Sequence, residues 1–433
     1  MPSKRKLANS LGISQNTVNA AYQQLVAEGY LEARLRSGHY VGNVSEDGFF
    51  ASPLRSRRTI KEWTDERDGY DFVFDHASVD SSAFPFDTWR RLYKDALFEN
   101  RNLLSIGDPQ GDYGLRCEVS EYLYRSRGVQ CSPGHLVIGS GTQTLLLLLV
   151  QIMGWNRRYA MEDPGYSRAR KVLQHNGVQV KPIPLDTEGL SMRALQEQEV
   201  DIVYVTPSHQ FPTGIVMPVS RRYELLQWAA EKSARYIIED DYDSEIRYSS
   251  KPIPSLQGLD MNGKVIYMGT FSKALMPSLR FSYMVLPTEL LDIYRMRFSF
   301  YFQTVSRIEQ KVIERFMREG FWTSHLQKMR TLYGRKKEVL VSSLRRSFGN
   351  DLKIQGQDGG LHVLVGFDRP VSERELIDRA KKEKVLVHPL SIHFADNTDA
   401  ELCKMVLLGF ANLTANQIQE GVLRLEKAWS DIG

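Results

Sequence analysis

The sequence runs to 433 residues, 42% hydrophobic and 25% charged, with a net charge of +4, which suits a globular chain of two or three domains. Its longest apolar run, Leu145 to Val150 and on towards Met153, is shorter than the roughly 18 residues a membrane span needs, and the basic start Lys4-Arg5-Lys6 has no apolar stretch behind it to make a secretory signal. Three cysteines without paired spacing, Cys117, Cys131 and Cys403, argue against a disulfide scaffold or a zinc site and for a reducing cytoplasm, so no metal is expected.

Residues 1–43 hold Lys4, Arg5, Lys6, Arg34 and Arg36 against Glu28 and Glu32, so +3 of the +4 sits in the first tenth of the chain. A small basic head on a near-neutral body predicts a polyanion contact confined to the head. Leu7, Ala8 and Leu11 recur at helical spacing, and Gly12 closes the run. Ser14 then stands as N-cap to a second run with Val18, Tyr22, Leu25 and Val26 on one face, ended by Gly29. Two helices across a tight turn predict a helix-turn-helix. Tyr30 to Arg34, a turn at Arg36-Ser37-Gly38, and His39-Tyr40-Val41 predict a wing hairpin. In such a domain, residues 1–44, the polar side chains Ser14, Gln15, Asn16, Thr17 and Asn19 reach base edges of duplex DNA, while Arg5, Arg34 and Arg36 meet phosphates. The alternative is a solvated helix pair that serves packing. Residues 45–69 mix charges without periodicity and read as an exposed linker.

From residue 70 helical patterns alternate with apolar runs at Leu136–Ile138, Tyr159–Met161, Ile202–Val205, Tyr236–Ile238, Val265–Met268 and Tyr283–Leu286. That alternation predicts an α/β fold with a mostly parallel sheet covered on both faces. Ligands of such sheets bind beyond the carboxyl ends of the strands. Three polar clusters fall there. Gly139-Ser140-Gly141-Thr142-Gln143 opens a Leu-rich helix and can offer free amides to a phosphate, although such loops are often only turns. Glu239-Asp240-Asp241 places three acids at a buried strand end, costly without a cation, and no His or Cys cluster accompanies them to suggest a metal. Gly269-Thr270-Phe271-Ser272-Lys273 sets a lysine at a strand end among hydroxyl residues, with Arg280 seven positions on, an unusual setting for a surface lysine.

The strings Pro2–Ala8, Gly12–Val18 and Glu28–Leu31 resemble the GntR-type winged helix. That family begins with a further helix and strand, absent from this numbering, so the head is expected to lack its first helix and to bind DNA poorly as numbered. Residues 70–433 resemble the fold-type I enzymes that use pyridoxal 5′-phosphate (PLP), the aspartate aminotransferase superfamily, whose large domain carries a smaller C-terminal α+β domain. Thr206–Gly214, Glu239–Glu245 and Gly107–Gly111, joined to a GntR-type head, are similar to the MocR/GabR-type transcriptional regulators.

The resemblance implies a role for each residue. Lys273 matches the Schiff-base lysine, Asp240 the carboxylate on the pyridine nitrogen, Tyr242 the phenol on the ring oxygen O3′ and Tyr166 the stacking aromatic. Gly141, Thr142, Gln143, Thr270, Ser272 and Arg280 match the cofactor and phosphate cup. Phe211 stands where ordinary enzymes have Asn, which loses one bond to O3′, and His209 or Gln210 is open as a replacement. In the GABA-responsive relative two arginines hold the effector's carboxylate. Arg168 matches the first, but Asn412 replaces the second, a loss of about 1.5–3 kcal/mol for a bond to a charged group. His388 and His393 are further effector contacts or plain structural residues. The resemblance thus implies a homodimeric regulator that senses an amine or amino-acid-like effector by aldimine exchange at Lys273. A working aminotransferase, or a sensor of PLP itself, is the alternative.

Overall fold

The computed structural model describes residues 1–35, 37–42, 65–99, 101–248, 254–395 and 404–430. Arg36, Cys403 and residues 45–64 of the linker lie outside them. The chain divides into two compact units, Met1–Asp68 and Gly69–Gly433.

In the first unit, helices α1 (Lys4–Leu11) and α2 (Gln15–Ala27) precede an antiparallel pair, β1 (Leu31–Arg34) and β2 (Gly38–Val41), with Leu31 opposite Val41. Ser3 and Ser14 cap the helices by accepting from the backbone N–H of Lys6 and Thr17, which satisfies end donors that would otherwise go unpaired. Ala8, Val18, Tyr22 and Leu31 form the core, with Leu7, Leu25 and Val26 against them. The helix-turn-helix and hairpin thus stand where the periodicity puts them. Leu11 departs from the expected apolar face and is exposed, because Gly12 turns the chain left-handed immediately after it and no described residue covers that last turn.

The second unit begins with β3 (Phe72–Val73) and helices α3 (Phe86–Glu99) and α4 (Tyr113–Arg127). Then come β4 (Leu136–Gly139), α5 (Thr142–Met153), β5 (Tyr159–Asp163), α6 (Ser167–His175), β6 (Val180–Asp186), β7 (Gly189–Leu190), α7 (Met192–Gln196), β8 (Ile202–Val205), α8 (Val219–Ala230) and β9 (Tyr236–Asp241). They are followed by β10 (Val265–Thr270), β11 (Ser282–Val285), α9 (Thr288–Arg297), α10 (Arg307–Arg318) and the long α11 (Phe321–Phe348). The chain closes with β12 (Leu352–Gln355), β13 (His362–Phe367), α12 (Glu373–Lys382), β14 (Val385–Leu386), β15 (His388–Pro389), β16 (Met405–Gly409) and α13 (Ala415–Trp429).

An eight-stranded sheet runs in the order β4-β11-β10-β9-β8-β5-β6-β7. The five strands from β10 to β6 are parallel neighbours, and β11 lies antiparallel between β4 and β10. Alternate residues of β4 serve opposite faces: Leu136 and Ile138 pack among Leu115, Val119 and Val312, while Val137 packs among Leu145, Leu149 and Met284. Both faces are therefore covered, as continuous apolar strands require. The six apolar runs became β4, β5, β8, β9, β10 and β11. The runs did not reveal β6, where Pro182 and Pro184 interrupt a largely exposed strand next to the sheet's edge, a position that tolerates proline.

A second sheet, β12-β13-β16-β15, is antiparallel and packs with α11 and α13 around Leu340, Leu344, Val365, Leu408 and Trp429. This is the smaller α+β portion. The segment Phe72–Phe74 joins its core, and β3 pairs with β14.

Candidate functional site

The polar ends of β8, β9 and β10 meet the start of α5 around a cavity of about 170 Å³. Thr142, Gln143, Tyr166, Arg168, Asp240, Tyr242, Thr270, Ser272, Lys273 and Arg280 all line it. Residues far apart in sequence are thereby brought to one cleft.

The three strand-end acids meet three different surroundings. Glu239 accepts from the backbone N–H of Leu256 and of Gln257, each at 2.8 Å. Asp241 accepts from Arg127 Nε at 2.7 Å and from the Tyr267 hydroxyl at 2.6 Å; burial opposes its charge, but these partners hold its carboxyl below the usual range. Asp240 has only the Tyr204 hydroxyl on Oδ2, and its buried Oδ1 has no partner. Burial first, then Asp241 and Asp243 alongside, push the Asp240 carboxyl up to about 7 against that one hydrogen bond. The acids form no metal-type cluster among the described residues; the group of that kind is Asp75, His76 and His388.

Lys273 follows β10, and its Nζ donates to the backbone oxygen of His76 at 2.7 Å. Burial lowers its proton affinity, with Asp243 and Asp75 opposing and Arg168 assisting. The Thr270 hydroxyl donates to Phe281 O at 3.1 Å and accepts from the Ser272 N–H at 3.2 Å, which fixes the turn that aims Lys273. Ser272 Oγ is buried without a partner.

At the head of α5, Gly141 is the N-cap with φ 100° and no side-chain cap, so the first amides of the helix are free. A Cβ at this position would stand 2.3 Å from the Arg280 guanidinium. Glycine therefore lets Arg280, itself left-handed at φ 50°, lie against the helix end. The Arg280 side chain has no hydrogen bond or ion pair among the described residues. A cation and a helix N-terminus, both unspent and side by side, fit a phosphate. Together with the orphaned Asp240 Oδ1 and Ser272 Oγ, they fit a phosphorylated ring carrying one hydrogen-bond donor.

Tyr166 precedes α6 and meets Phe211 edge-on, with centroids 5.6 Å apart. Phe211 is likewise edge-on to Tyr242 at 5.8 Å. Neither open replacement for the missing Asn reaches the cavity wall. Gln210 uses its amide N–H on Pro164 O and Phe211 O and its oxygen on Thr213, so it braces its own loop. His209 lies behind Tyr242. Arg168 is exposed at the cavity with no hydrogen bond among the described residues. Asn412 is not brought to the wall: its amide donates to Val73 O at 3.1 Å, so the nitrogen of the expected effector contact serves the β3 backbone, while its Oδ1 is buried without a partner. His393 is buried, bonded to Ser167 Oγ at 3.1 Å, and burial with Arg170 nearby brings it down to about 3. His388 lies 3.9 Å from Asp75. Sequence reasoning missed His76, Ala77, Thr206, Pro277 and Ser282 on the wall. Thr206 opens the Thr-Pro-Ser-His string and was findable; His76 sits in irregular chain with no periodic signal.

In the head, Arg5, Gln15, Asn16, Thr17 and Arg34 are exposed. Ser14 and Thr17 share their hydroxyls at 2.8 Å, and Asn19 Oδ1 accepts from Lys4. Arg34 lies over the Tyr40 ring, 4.8 Å from its centroid.

The fold and site define a two-part protein. Residues 77–425 match the family described as aminotransferase class I and II, and residues 1–41 match the bacterial regulatory proteins of the gntR family. The chain is 43% identical over 430 residues to the uncharacterized HTH-type transcriptional regulator YdeL of Bacillus subtilis (strain 168), covering 99% of this chain and 92% of that protein. It is 34% identical over 442 residues to the probable rhizopine catabolism regulatory protein MocR of Rhizobium meliloti, covering 99% and 89%. Among solved structures it is similar to LysN, an α-aminoadipate aminotransferase from Thermus thermophilus complexed with N-(5′-phosphopyridoxyl)-L-leucine, with 26% identity and a TM-score of 0.73 over 83% of this chain and 92% of that one. The chain belongs to the MocR-type HTH transcriptional regulators, in which a gntR-family head precedes an aminotransferase class I and II domain. No helix among the described residues is long and apolar enough to cross a membrane.

Proposed function

We propose that this regulator holds PLP on Lys273 and answers to a small amine, reading duplex DNA through its head in the cytoplasm. The observation that carries the proposal is the set of unspent groups around one lysine: Asp240 Oδ1, Ser272 Oγ, the Arg280 guanidinium and the open end of α5. Bound there, the cofactor supplies an aldehyde that condenses with primary amines and a ring that draws electrons. Arg280, Ser272 and the amides at Thr142 and Gln143 would hold the phosphate. Asp240 would accept from the ring nitrogen, Tyr242 would face the ring oxygen and Tyr166 would cover one ring face. Burial keeps the Lys273 amine in its uncharged, nucleophilic form over more of the pH range. Arg168, free at the cavity edge, would hold an anionic group of the effector.

A homodimer belongs to the same reading. A second cavity of about 270 Å³ is lined by Val137, Leu147, Tyr294, Tyr301 and Phe302, and Ile106, Phe300 and Phe302 nearby in sequence or space are each at least 70% exposed. Large apolar side chains left in water together mark a surface that another subunit covers. Two heads would then meet two half-sites, with Gln15 and Asn16 at base edges and Arg5 and Arg34 on phosphates.

Reconstitution with PLP followed by borohydride tests the reading. A coloured protein labelled on the peptide containing Lys273, with amines that bleach the colour also shifting operator binding, is the expected result. A colourless, unlabelled protein sinks it. The joint presence of Lys273, Asp240 and Tyr242 also favours a second reading, an active aminotransferase; sustained amino transfer to a keto acid would establish that instead.

A further inference from the structure

The string Thr206–Gly214 puts a histidine off the cavity wall, yet the fold builds a dedicated berth for it. The His209 ring is only 4% exposed. Its Nδ1 lies 2.9 Å from Asp243 Oδ2 and 3.1 Å from the Tyr242 hydroxyl. Two glycines from separate parts of the chain make room. A Cβ on Gly360 would stand 2.7 Å from His209 Cε1, and one on Gly214 would stand 3.0 Å from Nε2. Both glycines are left-handed, at φ 70° and 77°. Gly360 opens the approach to β13, so the small portion of the fold closes over this ring.

The bonding has a definite sense. A carboxylate only accepts, so Nδ1 bears the hydrogen and shares it between Asp243 and the Tyr242 oxygen. Asp243 is also within hydrogen-bond reach of the Tyr242 hydroxyl, so Nδ1, by occupying Asp243 Oδ2 and donating to the phenol oxygen, competes for that carboxylate and turns the O–H towards the cavity, which Tyr242 lines. Burial, with Asp243 beside it, raises Tyr242 well above its ordinary value, so the O–H is retained. Phe211, edge-on at 5.8 Å, offers no competing bond. Receiving one hydrogen bond polarises a hydroxyl and makes it a better donor of the next.

We propose that His209, oriented by Asp243, is a positioning residue that aims and strengthens the Tyr242 O–H donor, and so makes up for the polar contact Phe211 lacks. The proposal rests on the reading that PLP occupies the cleft with its ring oxygen at Tyr242. A stronger donor there favours the deprotonated, more anionic form of the bound chromophore.

The test is the pH midpoint of the absorbance transition of the PLP-loaded protein. His209→Phe should raise the midpoint by about one pH unit, a tenfold change in proton affinity. His209→Asn, whose amide nitrogen falls near the Nδ1 position, should restore it to near the native value. In a Tyr242→Phe background, His209→Phe should add no further shift, because the histidine acts through the phenol. His209→Ala gives the same readouts without a larger ring if the phenyl group disturbs the fold, as thermal melting would reveal. An unchanged midpoint in His209→Phe and His209→Ala overturns the proposal, and so does an equal shift in the Tyr242→Phe background. Failure of the underlying reading is separately visible: native protein would then take no borohydride label on Lys273.

Discussion

The head and the cleft keep their polar residues in opposite surroundings. In the head, Gln15, Asn16 and Thr17 stand in water above a core of four buried side chains. In the cleft, Glu162, Glu239, Asp240 and Asp241 are withdrawn from water, where a carboxylate oxygen without a partner is costly. An exposed amide is content with solvent and says little about what it binds. A buried carboxylate oxygen without a partner on a residue that lines the cavity, as with Asp240 Oδ1, describes its ligand by what it lacks. The cleft can therefore be argued atom by atom, whereas the head is argued mainly from its shape and charge.

The largest effect that would break this contrast is at Lys273. Lys273→Ala should abolish borohydride-fixed PLP entirely while leaving the far-UV circular dichroism unchanged; residual fixed label would place the lysine elsewhere. Asp240→Asn comes next. Losing a charged bond should weaken PLP binding about 10–100-fold by equilibrium dialysis, and an unaltered Kd would mean that the orphaned oxygen faces no donor. The same carboxyl sharpens the contrast through pH. Asp240, Glu162 and Glu239 hold their protons up to about 7, chiefly through burial. Their folded values exceed the unfolded ones, so the stability they contribute is full below the ordinary carboxylate range and is lost as pH rises through 7. The Tm of PLP-free protein should fall from about pH 4 to about pH 7 and then level off, by roughly 3–4 kcal/mol of unfolding free energy per group at most, and Asp240→Asn should remove its share. Arg168→Ala should weaken an anionic amine about tenfold by spectral titration, without altering Lys273 labelling. The smallest changes belong to the head: Gln15→Ala should relax base preference by about 1 kcal/mol, while Arg5→Ala should weaken all duplexes alike and reduce the salt slope by about one. Equal behaviour of the two variants would erase the distinction between base reading and phosphate contact.

The sheet was legible because six apolar runs of the right length cannot be hidden, and the cleft was legible because the residues after those runs are the wrong kind to bury without a reason. Lys273, Asp240 and Arg280 each break a local rule. The rest was not legible for equally physical reasons. β9 continues through Glu239–Asp241, beyond the apolar run, because two backbone amides pair both oxygens of Glu239, and Arg127 and Tyr267, from distant positions, pair Asp241 Oδ2. Nothing local to residue 240 announces them. Asn412 looked like half of an effector clamp by its place in the chain, but the backbone of Val73, 339 residues away, takes its amide. His209 looked like a substitute ligand, but its contact with the Tyr242 hydroxyl and the room made by Gly214 and Gly360 put the ring behind the wall.

The contact between Gly141 and Arg280 has a consequence for how variation in this gene should be interpreted. Position 141 carries no functional group, yet its left-handed φ of 100° strains any side chain, and an added methyl would stand 2.3 Å from the guanidinium, so Arg280 would have to swing away from the helix end. A random mutagenesis screen for loss of the yellow colour should thus recover alanine at 141 as readily as changes at 280, and neither should be rescued by restoring charge elsewhere on the rim.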